Sequence, residues 1–409
     1  MKLLWFTNTP SLFEIQEGGY NGGGWITSLE REMSQIENIE LAVAFLYPEE
    51  KKVVKGNVAY YLIHTKSSIL SKIQFYIDYE TYRQNEIKSY LKVIHDFKPD
   101  VIHIFGSEST FGLVREYTDI PIVLHIQGIM NPYLNTCDLP GIGKYEFLKY
   151  LKIKEYKSHY LNTLFFKRGA VNEQKIFSLC HNFMGRTQWD KNVANLLSFQ
   201  KAHYFHCDEI LRPPFYTASA WNFEEHALFK IVTTISKTDY KGFDLILKTA
   251  RLLKTNFNLN FEWNVYGIGE YSFWEKKLKI KALDVDVFLK GVIDADQLVL
   301  SLRDANVFVH PSYIDNSPNS ICEAQMIGVP VISTNVGGIS SLIDNDETGI
   351  LVPANDPYSL ACKIMDLEEN DQKAIHLGTN ARRVAQKRHD VKKIIARNLE
   401  IYNIILTKE

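Results

Sequence analysis

Short runs of Val, Ile, Leu, Phe and Tyr recur along the chain, separated by longer segments in which apolar residues return every three to four positions. The short runs read as strands and the longer segments as helices, and their alternation is the sequence form of βαβ units that build parallel sheets. In the first half the strand-like runs are 2–7, 40–46, 58–64, 101–105 and 122–126. In the second half they are 229–236, 261–266, 285–289, 307–310, 329–333 and 349–352. Several are apolar at every position rather than at alternate ones, which suits sheets covered by helices on both faces.

Between the two series, Leu211-Arg-Pro-Pro-Phe215 carries two prolines expected to stop any helix, so the linker falls at 210–228. The pattern therefore predicts an α/β protein with two Rossmann-like domains facing each other across a cleft, at 1–210 and 211–387. A last helical segment, about 388–406 within a tail of 388–409, follows a second domain that is already complete and is expected to pack back onto the first. A chain of 409 residues is long enough for two such cores.

Composition narrows the function classes. The net charge of −2 gives no general attraction to polyanions, so no nucleic-acid partner is expected. Cys137, Cys180, Cys207, Cys322 and Cys362 are odd in number and never spaced Cys-x-x-Cys, which indicates neither a zinc knuckle nor a disulfide framework. The chain opens directly into an apolar run, without a basic leader and without an apolar stretch near 18 residues, so a soluble cytoplasmic protein is expected. One segment stands apart: 144–168 interleaves seven Lys and Arg residues, among them Lys144, Lys167 and Arg168, with aromatics such as Tyr160, Phe165 and Phe166. That pattern fits either peripheral contact with an anionic membrane or a helix docked on its own domain with a solvated basic face.

Ligands of open α/β sheets bind beyond the carboxyl ends of strands. After the first strand comes Gly18-Gly-Tyr-Asn-Gly22-Gly23-Gly24, followed by a helical pattern, a place where backbone can approach an anion closely. Its spacing is not the dinucleotide fingerprint, and Gly267-Ile-Gly269 also lacks a third glycine. The most informative stretch runs from His310 to Pro330. Ser317 is the expected N-cap of a helix with Pro318 at its first position, and Gly328 is the expected end. Asp315 then precedes the helix and Glu323 lies inside it, so both carboxylates and the helix N-terminus can face one ligand. Spacing alone fits a capping acid and a helix-surface Glu equally well. His125 and Gln127 at one strand end, and Lys241 after another, are further polar candidates.

These residues together resemble the retaining glycosyltransferases of the GT-B fold, the group 1 or family 4 class, in their bacterial polysaccharide-type members. The resemblance spans nearly all of the second domain and, more loosely, the first. Lys241-Gly-Phe-Asp244 is similar to the family's Lys-Gly-x-Asp, and Asp315 to Glu323 to its pair of acids eight residues apart. Asn335-Val-Gly-Gly338, Thr348-Gly-Ile-Leu-Val-Pro353 and Asp356-Pro357 continue the pattern. Gly185-Arg-Thr-Gln-Trp-Asp190 and Asp208-Glu-Ile-Leu-Arg212 resemble segments of the polysaccharide-type members and are expected at the first domain's side of the cleft and the hinge.

The resemblance implies a nucleotide-sugar donor and a saccharide or lipid-linked saccharide acceptor, with no cofactor and no metal. It places Lys241 at the donor diphosphate, Asp315 at the sugar hydroxyls and Glu323 at the ribose. Gly22, Gly23 and Gly24 would lie by the diphosphate or acceptor, and Asn316, Ser317, Pro318, Asn319 and Ser320 would line the donor. His125 or Gln127 would lie at the reacting carbon, Gln127 standing where the family has its histidine. Asp315 is shorter than the family's usual Glu, and Ser236 replaces the diphosphate Arg, with Lys237 or Arg212 as candidate substitutes. Two other readings use the same nucleotide site: a nucleotide-sugar epimerase, and a binding protein without catalysis.

Overall fold

Residues 1–14, 24–64, 75–136, 153–224 and 227–408 are described in a computed structural model of the protein. Gly22, Gly23 and the stretch from Lys144 to Lys152 lie outside them. The chain forms two sheets. The first has eight strands, β1 (Lys2–Thr7), β2 (Glu40–Tyr47), β3 (Lys51–Lys55), β4 (Val58–His64), β5 (Val101–Phe105), β6 (Ile122–His125), β7 (Asn182–Gly185) and β8 (His203–His206), in the order β3-β4-β2-β1-β5-β6-β7-β8. All neighbours are parallel except β3 and β4. The second has six parallel strands, β9 (Phe229–Thr234), β10 (Phe261–Tyr266), β11 (Val287–Gly291), β12 (Val307–His310), β13 (Val331–Thr334) and β14 (Ile350–Val352), in the order β11-β10-β9-β12-β13-β14.

The period of two in a strand explains why uniformly apolar runs became central strands. In β1, Leu3 and Trp5 enter one core while Leu4 and Phe6 enter another on the opposite face. The second sheet is likewise buried from both sides, with Val307, Phe308 and Val309 of β12 wholly inaccessible. Both sheets reverse their strand order beside the first strand laid down, between β1 and β5 and between β9 and β12. Such switch points leave a crevice at the strands' carboxyl ends.

Three strands were not legible from apolar runs. β3 is Lys-Val-Val-Lys-like and exposed, an edge strand guarded by charge, while β7 and β8 are four residues long and carry Asn182, His203 and His206. β11 begins at Val287 rather than 285, because Leu283–Val285 forms a 3-10 turn. The linker prolines do not stop a helix: Pro214 opens the short helix Pro214–Thr217, where a missing N–H costs nothing.

The final helix, Val391–Lys408, lies against the first sheet. Ile394, Ile401, Tyr402 and Ile405 fall on one face and join the core that contains Leu3, Trp5 and Val43. The Tyr402 hydroxyl is 2.7 Å from Nδ1 of His103 on β5. Ile401 is fully buried there, so Ile401→Ala is expected to destabilise the protein by about 2–5 kcal/mol through lost burial and the cavity left behind. Urea denaturation followed by far-UV circular dichroism checks this; a midpoint unchanged from wild type would show that the helix adds nothing to the first domain.

Candidate active site

The loop after β12 carries a buried polar cluster centred on Asp315. One oxygen of Asp315, Oδ2, accepts from Lys241 Nζ at 2.6 Å, from His310 Nε2 at 3.0 Å and from Ser312 Oγ at 3.3 Å. Its other oxygen accepts from the Asn316 N–H at 3.2 Å. Burial by itself would raise the Asp315 carboxyl, but the Lys241 ammonium and the His310 ring outweigh it and hold the group far below the usual carboxylate range. Burial works to lower Lys241, and the Asp315 charge overrides it, so Lys241 stays cationic. His310 is pushed down by burial and is neutral near pH 7; since a carboxylate only accepts, its Nε2 carries the proton.

Local sequence explains how these groups meet. Gly242, at φ +77°, ends the turn Asp239–Lys241 and opens the helix Phe243–Thr255, and a Cβ there would fall 2.1 Å from the Pro311 carbonyl oxygen. Phe243 is buried in the core, and Asp244 accepts from the Tyr313 hydroxyl at 2.7 Å, tying helix to loop. On the other side, Gly337 has φ +55° and a Cβ would sit 1.9 Å from the Asp315 carbonyl oxygen; at Gly338 it would sit 2.2 Å from that of Asn316. The glycines of both motifs are thus spaces into which the 311–316 backbone fits.

The helix that follows is Asn319–Ile327. Ser317 is not its cap: Pro318 takes that position and no side chain caps the helix, because Ser317 Oγ is occupied by Arg186 Nε at 3.0 Å. Gly328 ends the helix at φ +91°. Glu323, inside it, accepts both Nε of Arg212, at 2.7 Å, and Nη2, at 2.8 Å. A cavity of about 420 Å³ opens at the β9–β12 switch point. Lys241, Asp315, Pro318, Asn319, Ser320 and Glu323 line it, with Ser236 and Arg212. Gly24 and Trp25 face it from the first domain, and Tyr266, Val292 and Ile293 form a more apolar end.

Other candidates are placed elsewhere. Lys237 is exposed beside Glu270 at 3.4 Å and does not line the cavity. Asn316 and Ser317 join the two domains instead. Asn316 Nδ2 donates to the Gln127 carbonyl oxygen at 2.7 Å, and its Oδ1 accepts from Thr187 Oγ1 at 3.2 Å. His125 is a core residue, its ring 5.0 Å from Trp25 and its Nδ1 3.3 Å from His103 Nε2. Burial pushes it down to about 3, and it does not reach the cavity. Of Gln127, it is the backbone that meets Asn316, while the side-chain nitrogen is buried without a hydrogen-bond partner among the described residues.

Arg186 is the residue that sequence reasoning underweighted. Besides Ser317 it reaches Asn319 Oδ1 at 2.9 Å and Glu209 at 3.1 Å, and it donates to the Ser317 carbonyl. Asp190, accepting from the N–H groups of Arg186 at 2.9 Å and Thr187 at 3.0 Å, fixes the turn that aims it. The signal was present in the Gly185-to-Asp190 segment, but its position at a strand end was hidden because β7 is only four residues long and begins with Asn182.

Two facing parallel-sheet domains with a polar crevice at a switch point define the class: the fold is GT-B. Structures of similar fold include sucrose-phosphate synthase from Thermosynechococcus elongatus (TM-score 0.75, 14% identity, 100% of both chains). Anabaena HepE in complex with UDP-glucose gives a TM-score of 0.64 at 15% identity, over 98% of this chain and 99% of that one. Within that class, residues 223–384 match the family model for glycosyl transferases, group 1. The Escherichia coli K12 protein WcaL, named as a colanic acid biosynthesis glycosyltransferase, is 30% identical over 152 residues, covering 35% of this chain and 36% of that protein. AmsK of Erwinia amylovora, named for amylovoran biosynthesis, is 27% identical over 38% of this chain and 40% of its own. The chain thus matches little more than a third of the length of these curated relatives.

Arg186 and Glu209 form a buried pair whose disruption is informative. Burial raises Glu209 to about 7 even though Arg186 opposes it. Arg186→Met leaves that carboxyl unopposed and is expected to cost about 3–5 kcal/mol, with Glu209→Gln in the same background recovering part of it. A carboxyl whose folded pKa lies above its ordinary 4.5 favours the folded state below that value and loses the contribution as pH rises through the folded pKa. The Arg186→Met penalty should therefore be larger at pH 8 than at pH 5. Equal penalties in urea titrations at the two pH values would contradict this account of Glu209.

Proposed function

We propose that the protein transfers a sugar from a nucleoside-diphosphate sugar to an acceptor hydroxyl with retention at the anomeric carbon, in the synthesis of a cell-surface polysaccharide or glycolipid. The observation that carries the reading is the Lys241–Asp315–His310 cluster beside an uncapped helix N-terminus in the switch-point cavity. A cavity of about 420 Å³ is of the size that takes small ligands. Relatives named for colanic acid, amylovoran and poly(ribitol-phosphate) glycosyl transfer support the acceptor class, and HepE with UDP-glucose supports the donor class.

In this reading the nucleoside lies toward Tyr266 and Ile293, its ribose hydroxyls donating to Glu323. The sugar hydroxyls donate to Asp315, which neutral His310 orients. As the glycosidic bond breaks, charge grows on the leaving diphosphate. Lys241 and the free N–H groups at the start of the helix Asn319–Ile327 stabilise it, so no metal is required. Retention follows from attack on the same face as the departing phosphate, which takes the acceptor proton.

Lys241→Ala removes a contact that strengthens in the transition state, so about ten- to a hundred-fold should be lost mainly in kcat. Glu323→Ala should instead raise the donor KM, and Asp315→Glu should impair transfer while nearly sparing free-nucleotide affinity. These are measured by sugar transfer from a UDP-, GDP- and ADP-sugar panel, with EDTA leaving the rate unchanged. An epimerised donor with no transferred product would replace this reading, and so would a protein that binds donors without turnover.

Peripheral membrane contact is part of the same proposal. Among the described residues no helix is long and apolar enough to cross a membrane. Tyr160 and Phe165 are exposed on the helix Ile153–Leu179, whereas Arg168 is engaged with the rings of Phe75 and Tyr79 and with the Tyr76 carbonyl. Co-sedimentation should favour anionic over neutral vesicles; equal recovery with both would end the idea.

A further inference from the structure

Charge in the cavity is balanced before any ligand arrives. Among the described residues lining it, the charged side chains are Lys241, Arg212, Asp315 and Glu323, two of each sign. Lys241 is spoken for by Asp315 at 2.6 Å. A diphosphate ester brings about two negative charges to the same space, more than one matched ammonium and a helix end readily answer.

Arg212 is placed differently from Lys241. Its pairing with Glu323 uses Nε and one hydrogen of Nη2, the side-on edge of the guanidinium. Of five N–H donors, about three are left over. Nη1 has no hydrogen-bond partner among the described residues and is not a buried atom, and Arg212 is one of the residues that line the cavity. The guanidinium carbon sits 5.1 Å from the centroid of Phe215, a ring with no exposure, which limits the plane's rotation. Glu323 grips one edge and Phe215 supports the plane of an arginine that lines the cavity together with Ser236, Lys241 and the start of the helix Asn319–Ile327.

We propose that Arg212 is a diphosphate-binding residue of this cavity, held by Glu323 so that the open Nη1–Nη2 end of its guanidinium meets the phosphates opposite Lys241. The ligand class is a nucleoside diphosphate or its ester, and the proposal rests on the donor-site reading above. Glu323 then has two tasks, accepting from the ribose and positioning the arginine. Arg212 lies in the segment that joins the domains, three residues after Glu209, so the same short stretch holds the interdomain pair and the phosphate-facing cation.

Isothermal titration with UDP and uridine, GDP and guanosine, and ADP and adenosine tests it, the ratio of nucleoside to nucleotide Kd measuring what the phosphates add. For whichever pair the wild type binds, Arg212→Ala should reduce that ratio about ten- to a hundred-fold while changing the nucleoside Kd less than about two-fold. Arg212→Lys keeps the charge but not the fork and should show a smaller reduction of the same kind; it carries the test if the alanine variant does not fold. A ratio unchanged in both variants, or an equal loss for nucleoside and nucleotide, overturns the role of Arg212. A wild type that binds none of the diphosphates overturns the donor reading instead.

Discussion

A carboxylate removed from water must be met by charge and hydrogen bonds, and the architecture around Asp315 follows from that requirement. Its Oδ2 draws a lysine from the segment after β9, a histidine from the end of β12 and a serine from the loop between. No single element supplies these donors. They come together only because β9 and β12 are neighbours at the switch point, and because glycines at 242, 337 and 338 let two backbone segments approach within contact of one loop. The charge cluster therefore depends on the packing, and the packing leaves the loop a single place to go.

That dependence explains what was legible in the sequence. Central strands announce themselves because burial on both faces demands unbroken apolar runs, whereas the Lys-Gly-x-Asp and Gly-Gly motifs are legible only by resemblance, and the structure gives each of their residues a physical need. Gly242 supplies a positive φ and room for Pro311, Asp244 a tether for Tyr313, and Gly338 room for Asn316. Less visible were features whose meaning comes from the other domain. Ser317 has the sequence credentials of an N-cap, but Arg186, 131 residues earlier, takes its hydroxyl. The four-residue strands β7 and β8 are too short to announce themselves as apolar runs: β7 is fixed by pairing with β6 and by burying Phe183 and Met184, and β8 by pairing with β7.

His125 shows the limit from another side. It closes β6, two residues before Gln127, where a side chain could face the crevice, yet His103 and Trp25 pack on it and Glu209 stands 4.0 Å from its Nε2. Burial holds both His125 and His389 down to about 3, so each is neutral near pH 7. These histidines fill a polar seam inside the first domain and its junction. His103 meets Tyr402 of the last helix, and His389 donates through Nδ1 to the Glu209 carbonyl at 2.7 Å. A strand-end histidine is informative only once its second face is known, and a single sequence does not carry that face.

The seam also defines how the two domains are joined. The chain crosses between them twice, at the segment holding Glu209 and Arg212 and again at His389, and these crossings touch each other. From the first crossing, Glu209 reaches Arg186 and so Ser317 and Asn319, while Arg212 reaches Glu323 on the same helix. The helix Asn319–Ile327 is thus held near its start by the first domain and one turn further on by the crossing segment. Arg388 adds a third hold through Gln325 at 2.8 Å. A change in the angle between the domains would have to move this helix or break buried charge-assisted bonds. Breaking them strands charges such as Arg186 in a dry interior, at several kcal/mol each. Domain position and cavity geometry are therefore one variable, set where the helix N-terminus meets Arg186.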